Sequence, residues 1–254
     1  MKRLFTGLTD PGLLRSVNQD AYYIDPEGRF FIVADGMGGH AGGQEASRIA
    51  TQAIQFYLEQ YWPSLDSSSA LLEAALLEAN QAILQDQQSH PERSDMGTTV
   101  VVVIFRDGDE QPWCAHIGDS RLYRLRGPKI EQITEDHTWV AKALKGGDLT
   151  PEQARNHPWR HVLSQCLGRE DLRQMDIQAL EVQPGDRLLL CSDGLTEELS
   201  DHSIAAHLKA IRASEKAAAA LVNAAKDKGG RDNITVVLVT LDGFNHPDPP
   251  TQGS

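Results

Sequence analysis

Two short apolar runs in this chain end in the same way. Phe30-Phe31-Ile32-Val33-Ala34 closes on Asp35-Gly36, and Arg187 to Cys191 closes, through Ser192, on Asp193-Gly194. A brief apolar run without polar alternation suits a strand buried on both faces, and Asp-Gly suits the turn that ends it. A third run, Thr98 to Phe105, is almost wholly β-branched and apolar and reads as a central strand.

The cover for such strands is visible as helical periodicity. Ala46, Ile49, Ala50, Ala53, Ile54 and Tyr57 fall on one stripe, and Pro63 closes that helix. A second amphipathic helix runs from about Ser69 to Gln88, with Leu72, Ala75, Leu76, Ala79 and Ile83 inward. Trp113 to Ile117 and Ser120 to Leu125 flank Gly118-Asp119 and read as a hairpin or tight strand pair. Helices over about Asp201 to Arg212 and Ser214 to Lys226 precede a last strand, Ile234 to Leu241. Segregated runs of strands and helices predict an α+β fold with antiparallel sheets, each helix pair covering one face of a β-sandwich. Residues 1–244 read as one domain and the proline-bearing stretch 245–254 as a frayed tail. Residues 138–168 are short-patterned and polar and read as a surface excursion, with Thr150-Pro151 as a helix cap and first turn.

Net charge is −12, from 36 acidic and 24 basic residues. Such a chain repels nucleic acid and anionic lipid, so neither is an expected partner. A phosphorylated ligand would have to be held by local cations or metals. Cys114, Cys166 and Cys191 form no C-x-x-C pair, which argues against a disulfide framework or a zinc site. The longest apolar run, Val100 to Phe105, is too short to span a bilayer. With no signal-peptide pattern at the start, a reduced, cytoplasmic protein is expected.

Asp20, Asp35, Asp119, Asp193 and Asp232 each sit at a strand end or in a tight turn. Any one of them alone is an ordinary turn former. Jointly they suggest convergence at one end of the sandwich, where each pair at about 4 Å would repel by roughly 4 kcal/mol at an effective dielectric near 20. Hard divalent cations, Mn²⁺ or Mg²⁺, relieve such repulsion because they prefer oxygen ligands. Gly36, lacking a Cβ, would let a backbone carbonyl approach a cation closely.

The ordered series Arg15-x-x-Asn18-Gln19-Asp20, Asp35-Gly36-Met37-Gly38-Gly39-His40-Ala41-Gly42-Gly43, Met96-Gly97-Thr98-Thr99, Gly118-Asp119-Ser120-Arg121, Ser192-Asp193-Gly194-Leu195 and Asp232-Asn233-Ile234-Thr235 resembles the PPM/PP2C family of metal-dependent protein serine/threonine phosphatases. It is most similar to the compact bacterial members and covers about residues 6 to 241. The resemblance implies a four-layer αββα sandwich with metals in a cleft at one edge of the two sheets. Asp35 would bridge two metals, with the Gly36 carbonyl completing the second site. Asp193 and Asp232 would hold the first metal, Asp119 with Asp193 a third and weaker one, and Asp20 would ligate directly or through water. Gln19 is neutral where some members carry glutamate.

The reaction expected is attack on phosphorus by a hydroxide shared between two cations, with phosphorylated serine and threonine proteins as partners. None of the three cysteines opens a Cys-x5-Arg loop, so cysteine phosphatase chemistry is rejected. By the same resemblance, Arg15 would bind the phosphate. His40 is the candidate general acid for the departing alkoxide. Residues 138–168 correspond to the family's variable flap, where Arg160 or His161 could contact substrate and Gly146-Gly147 could act as a hinge. A monomer is the default. Three other readings stay open at this point: a catalytically weak phosphoprotein-binding relative of the same fold, a regulatory phosphatase of the kind that acts on anti-sigma-factor antagonists and usually carries a sensor domain, and a metal-dependent nuclease, against which the acidic charge speaks.

Overall fold

The computed structural model describes residues 2–39, 42–172 and 175–242. The stretch expected as a frayed tail, 245–254, lies outside them. One sheet has the order β1 (Lys2–Asp10), β11 (Ile234–Asp242), β10 (Arg187–Cys191), β7 (Arg121–Arg126) and β8 (Lys129–Gln132). The other has the order β2 (Asp20–Ile24), β3 (Phe30–Met37), β5 (Val100–Ile104), β6 (Trp113–Ile117) and β9 (Asp176–Ala179), and the short β4 (Gly97–Thr98) pairs with β3. Every pairing in both sheets is antiparallel.

The continuous apolar runs are explained by three stacked cores. Along β3, Phe30, Ile32 and Ala34 enter a cluster with residues of α1 (Gly42–Tyr61) and α2 (Ser68–Ser89), among them Ile54, Leu58, Leu72 and Leu76. The alternate residues Phe31 and Val33 enter a different cluster with Leu188, Leu190, Val237 and Val239 of the facing sheet. β10 and β11 alternate likewise: Leu189, Cys191, Val236 and Leu238 pack with α6 (Asp201–Ala210) and α7 (Ser214–Lys228). The period-2 geometry of a strand thus sends successive apolar side chains into different layers. The result is the αββα order expected from the sequence, with helix pairs on the outside and an apolar layer between the sheets.

Some features differ from the sequence reading. β1 and β2 were not anticipated, because β1 is an edge strand of half-exposed residues and β2 carries no continuous apolar run. The expected hairpin across Gly118-Asp119 is not one: β6 and β7 lie in different sheets, and residues 118–120 cross from one to the other. Gly118 makes that crossing at φ +101°, where a Cβ would come within 2.6 Å of Thr99. The 138–168 excursion contains two short helices, α3 (Trp139–Gly146) and α4 (Pro151–Arg155). Thr150 and Gln153 form a capping box around α4 with Pro151 in its first turn, as the sequence predicts. Among the described residues no helix is long and apolar enough to cross a membrane.

Leu190 is fully buried in the layer between the sheets. Leu190→Ala is expected to lower unfolding free energy by about 2–5 kcal/mol, read from the midpoint of a denaturant transition at unchanged slope.

Candidate functional site

The antiparallel order brings the five aspartates to one end of the sheets. Asp35 lies two residues before the end of β3 and Asp193 two residues beyond the end of β10, where β2 begins at Asp20 and β11 begins two residues after Asp232. Asp20 and Asp35 are directly opposite each other in the β2–β3 ladder. Asp119 sits in the crossing between sheets, and Asp193 opens the one-turn helix α5 (Asp193–Thr196).

Hydrogen bonds from the flanking motif residues fix the backbone around these carboxylates. The Asp35 N–H donates to Thr99 Oγ1 at 3.1 Å, while Thr98 Oγ1 and the Thr99 N–H donate to the Asp35 carbonyl at 2.8 and 2.9 Å. Thr99 Oγ1 also lies 2.7 Å from Ser120 Oγ, which links this segment to the Asp119 turn. Ser192 Oγ donates to Asp20 Oδ2 at 2.7 Å and accepts the Thr235 N–H at 3.0 Å, so it joins the two sheets. Asn233 accepts the Gln19 N–H and donates to the carbonyls of Pro11 and Val17, which pins the loop that carries Arg15. Gly36 is packed so tightly that a Cβ would sit 1.8 Å from the Gly43 carbonyl oxygen. A Cβ on Gly43 would in turn sit 2.8 Å from the Gly36 carbonyl oxygen, so glycine at 43 keeps that oxygen uncovered.

Burial and mutual repulsion make the carboxylates reluctant to ionise without a counter-charge. Asp20 is pushed up to about 7, chiefly by burial, with the charges of Asp193 and Asp232 adding to it and the hydroxyls of Thr235 and Ser192 opposing. Asp35 is raised well above the ordinary range by burial and by Asp20, Asp193 and Asp119. Asp119 is raised well above it too, by burial and by Asp193 and Asp136. Burial and Asp232 raise Asp193. Asp20 Oδ1 and Asp193 Oδ1 are buried with no hydrogen-bond partner. Orphaned carboxylate oxygens, all-oxygen donors and an uncovered glycine carbonyl fit hard divalent cations.

Arg15 lies at the rim, its Nη2 2.7 Å from Asp232 Oδ2, with half of its side chain exposed. Asp232 keeps it protonated, with lesser help from Asp35 and Asp193. His161 also reaches the cluster: its Nδ1 is 2.5 Å from Glu197 Oε1, and its ring nitrogen, Asp193 and Glu197 offer ligand atoms within 4.8 Å of one another. Burial lowers the His161 ring, and the Arg160 charge lowers it further. Burial and Asp193 push Glu197 up to about 7. A cavity of about 1080 Å³ opens beside the aspartates, lined by Asp119, Asp193, Arg160, His161, Glu197 and Arg231 among others. His40, the expected general acid, lies outside the described residues.

The sequence reading missed Glu197 and Ser192. Glu197 falls four residues after Asp193, one helical turn on the same face, and that spacing was the available signal. Ser192 stood in a motif already quoted, but its bond to Asp20 spans 172 residues of chain and no local pattern encodes it.

A family model described as protein phosphatase 2C matches residues 15–233. This chain belongs to the protein phosphatase 2C family. It is 40% identical to protein phosphatase PhpP of Streptococcus pneumoniae, over 92% of this chain and 96% of that protein. It is 36% identical to serine/threonine protein phosphatase PstP of Mycobacterium tuberculosis over 95% of this chain, and spans only 46% of PstP. The crystal structure of the M. tuberculosis phosphatase superposes with a TM-score of 0.85 at 36% identity, covering 94% of this chain and 99% of that one. A structure of the PstP catalytic domain in complex with two manganese ions superposes with a TM-score of 0.82 at 34% identity, covering 94% and 98%.

The raised Asp20 pKa has a signed consequence for this family member when metal is stripped. Between the ordinary value of 3.8 and about 7, the native state binds a proton that the unfolded chain releases, so its stability falls as pH rises through that window. Asp20→Asn cannot ionise and escapes this loss. In EDTA, Asp20→Asn is expected to melt above the parent at pH 8, the gap closing towards pH 4, as measured by thermal denaturation.

Proposed function

We propose that this chain hydrolyses phosphoserine and phosphothreonine esters in proteins in a metal-dependent reaction. The observation that carries the reading is a cluster of aspartates at the junction of two sheets, two of which, Asp20 and Asp193, keep a buried oxygen without a hydrogen-bond partner, with a half-exposed arginine at their rim. Family membership and the likeness to serine/threonine phosphatases of bacteria support it.

Asp35 and the Gly36 carbonyl, with Asp193 and Asp232, are assigned to hold two divalent cations, Mn²⁺ or Mg²⁺. Asp20 supports them directly or through water, and Asp119 with Asp193 forms a third, weaker site. When bound, such cations acidify a shared water and neutralise phosphoryl charge. Arg15 presents a planar guanidinium at the mouth of the cluster and can pair with two phosphoryl oxygens. It orients the ester so that the side facing the aspartates is the side attacked. The serine or threonine alkoxide that departs needs a proton, and His40 is assigned that donation. Arg160 and His161 line the adjoining cavity, where they contact residues around the phosphorylated side chain.

The test is turnover of a phosphothreonine peptide with Mn²⁺. EDTA is expected to abolish it, and Asp193→Asn to lower it by at least about 100-fold, beyond the loss usual for a residue that merely supports a ligand. No turnover from folded, Mn²⁺-loaded protein would favour the phosphoprotein-binding reading instead. Arg15→Ala is expected to lower kcat/KM by roughly 10- to 100-fold, the range for losing a hydrogen bond to a charged group, and Arg15→Lys to restore it only in part.

A further inference from the structure

His137 is only 4% exposed and grips Gly118 twice. Its backbone N–H donates to the Gly118 carbonyl at 2.9 Å, and its ring Nδ1 accepts the Gly118 N–H at 3.2 Å. An accepting Nδ1 carries no proton, so the neutral ring holds its proton at Nε2, which lies 3.2 Å from Asp176 Oδ2. His116 stacks on the same ring, with centroids 4.6 Å apart and planes 26° apart. Its own Nε2 donates to the Glu135 carbonyl at 2.8 Å.

His116, His137 and Asp176 offer ligand atoms within 4.8 Å of one another, a spacing that would suit a metal. The stacking argues against one. Imidazole lone pairs lie in the ring plane, and two nearly parallel rings cannot both aim at a single ion. A metal on His137 Nε2 would also put the proton on Nδ1, against the Gly118 N–H. The cluster is a hydrogen-bonded strut.

His137 and the two residues after it close the base of the segment beside the cavity. Ser164 N–H donates to the His137 carbonyl at 2.8 Å, and Trp139 N–H donates to the Val162 carbonyl at 2.8 Å. Thr138 pairs with Leu163 and caps α3 by accepting the Ala141 N–H at 3.2 Å. His137 therefore stands between the base of this flap and the turn that carries Asp119.

We propose that His137, kept in the Nε2–H form by Asp176, is a positioning residue that sets the Gly118-Asp119 turn and couples it to the flap. Cation binding through Asp119 and ordering of residues 138–164 then rise and fall together. This rests on reading Asp119 as a cation ligand, and the experiment separates the two.

In metal-free protein, long-range ¹H–¹⁵N spectra of the imidazoles are expected to show His137 solely as the Nε2–H tautomer. Proton on Nδ1 would overturn the proposal. Mn²⁺ binding is then followed by calorimetry, and flap order by amide hydrogen exchange with and without Mn²⁺. His137→Phe keeps a stacked ring but no acceptor, and is expected to weaken the Asp119-dependent binding about 10- to 100-fold and to speed exchange at Gly118 and across 138–164. His137→Asn keeps an acceptor near the Nδ1 position and is expected to stay within about threefold of the parent, as rescue by a conservative variant requires. Equal weakening by Phe and Asn, or none by Phe, overturns the proposal. Should His137→Phe not fold, Asp176→Leu, which frees the tautomer, takes its place: weakening supports the proposal and parental binding overturns it. Asp119→Asn is the reference. If it binds Mn²⁺ like the parent, the ligand assignment itself fails and the proposal with it. If it weakens binding while His137→Phe does not, only the coupling fails.

Discussion

At one end of the apolar layer between the sheets, hydrophobic side chains give way to carboxylates. Asp20 from one sheet is bonded to Ser192 from the other, and Asp35, Asp119 and Asp193 crowd the same space. Asp20 is buried, and the backbone around these carboxylates is held by Thr98, Thr99 and Asn233, which leaves the side chains little freedom to move apart. Repulsion of roughly 4 kcal/mol per close pair is comparable to the whole net stability of many domains. The charge must therefore be cancelled by protons or by cations. Raised pKa values are what protons alone achieve, and a site in that condition is poised to exchange them for divalent metal.

The cancellation also bears on Arg15. Its contact with Asp232 is half-exposed, and pairs of that kind are worth only about 0–1 kcal/mol. A phosphate group offers a guanidinium two parallel charge-assisted bonds, which outweigh such a contact. Arg15 is thus held over the cluster strongly enough to be near and weakly enough to let go. A buried, bidentate pair would behave differently. Arg121, which is clasped by both oxygens of Asp136 at 2.8 and 2.6 Å, is committed to the base of the site.

How much of this could be read from the chain follows from burial. β3, β5 and β10 were legible because two-sided burial removes polar alternation, and α1, α2, α6 and α7 because one-sided burial leaves a stripe. β1 and β2 were not, since half-exposed strands tolerate mixed residues. The supposed hairpin at Gly118-Asp119 shows a limit of local reading: a glycine at positive φ marks a sharp change of direction, not which sheet the chain enters next. Aspartates of the site were legible through their turns, whereas Ser192 and Glu197 act through contacts that appear only once the sheets are stacked.

The glycine-rich segment after β3 shows why some motifs carry more information than others. An Asp-Gly turn asks only that one residue tolerate an unusual backbone, and many sequences satisfy it. Around Gly36, three stretches of backbone share a volume that admits no Cβ: the end of β3, the first turn of α1 and the Gln19 carbonyl, which lies 2.7 Å from where a Gly36 Cβ would sit. That carbonyl also accepts the Gly36 N–H at 3.1 Å and the Ser47 hydroxyl at 2.6 Å. A substitution at either glycine would force α1 away from the end of β3. The demand is steric and simultaneous, so it fixes several residues at once, and the same close approach that makes the segment recognisable is what leaves an oxygen bare beside the aspartates.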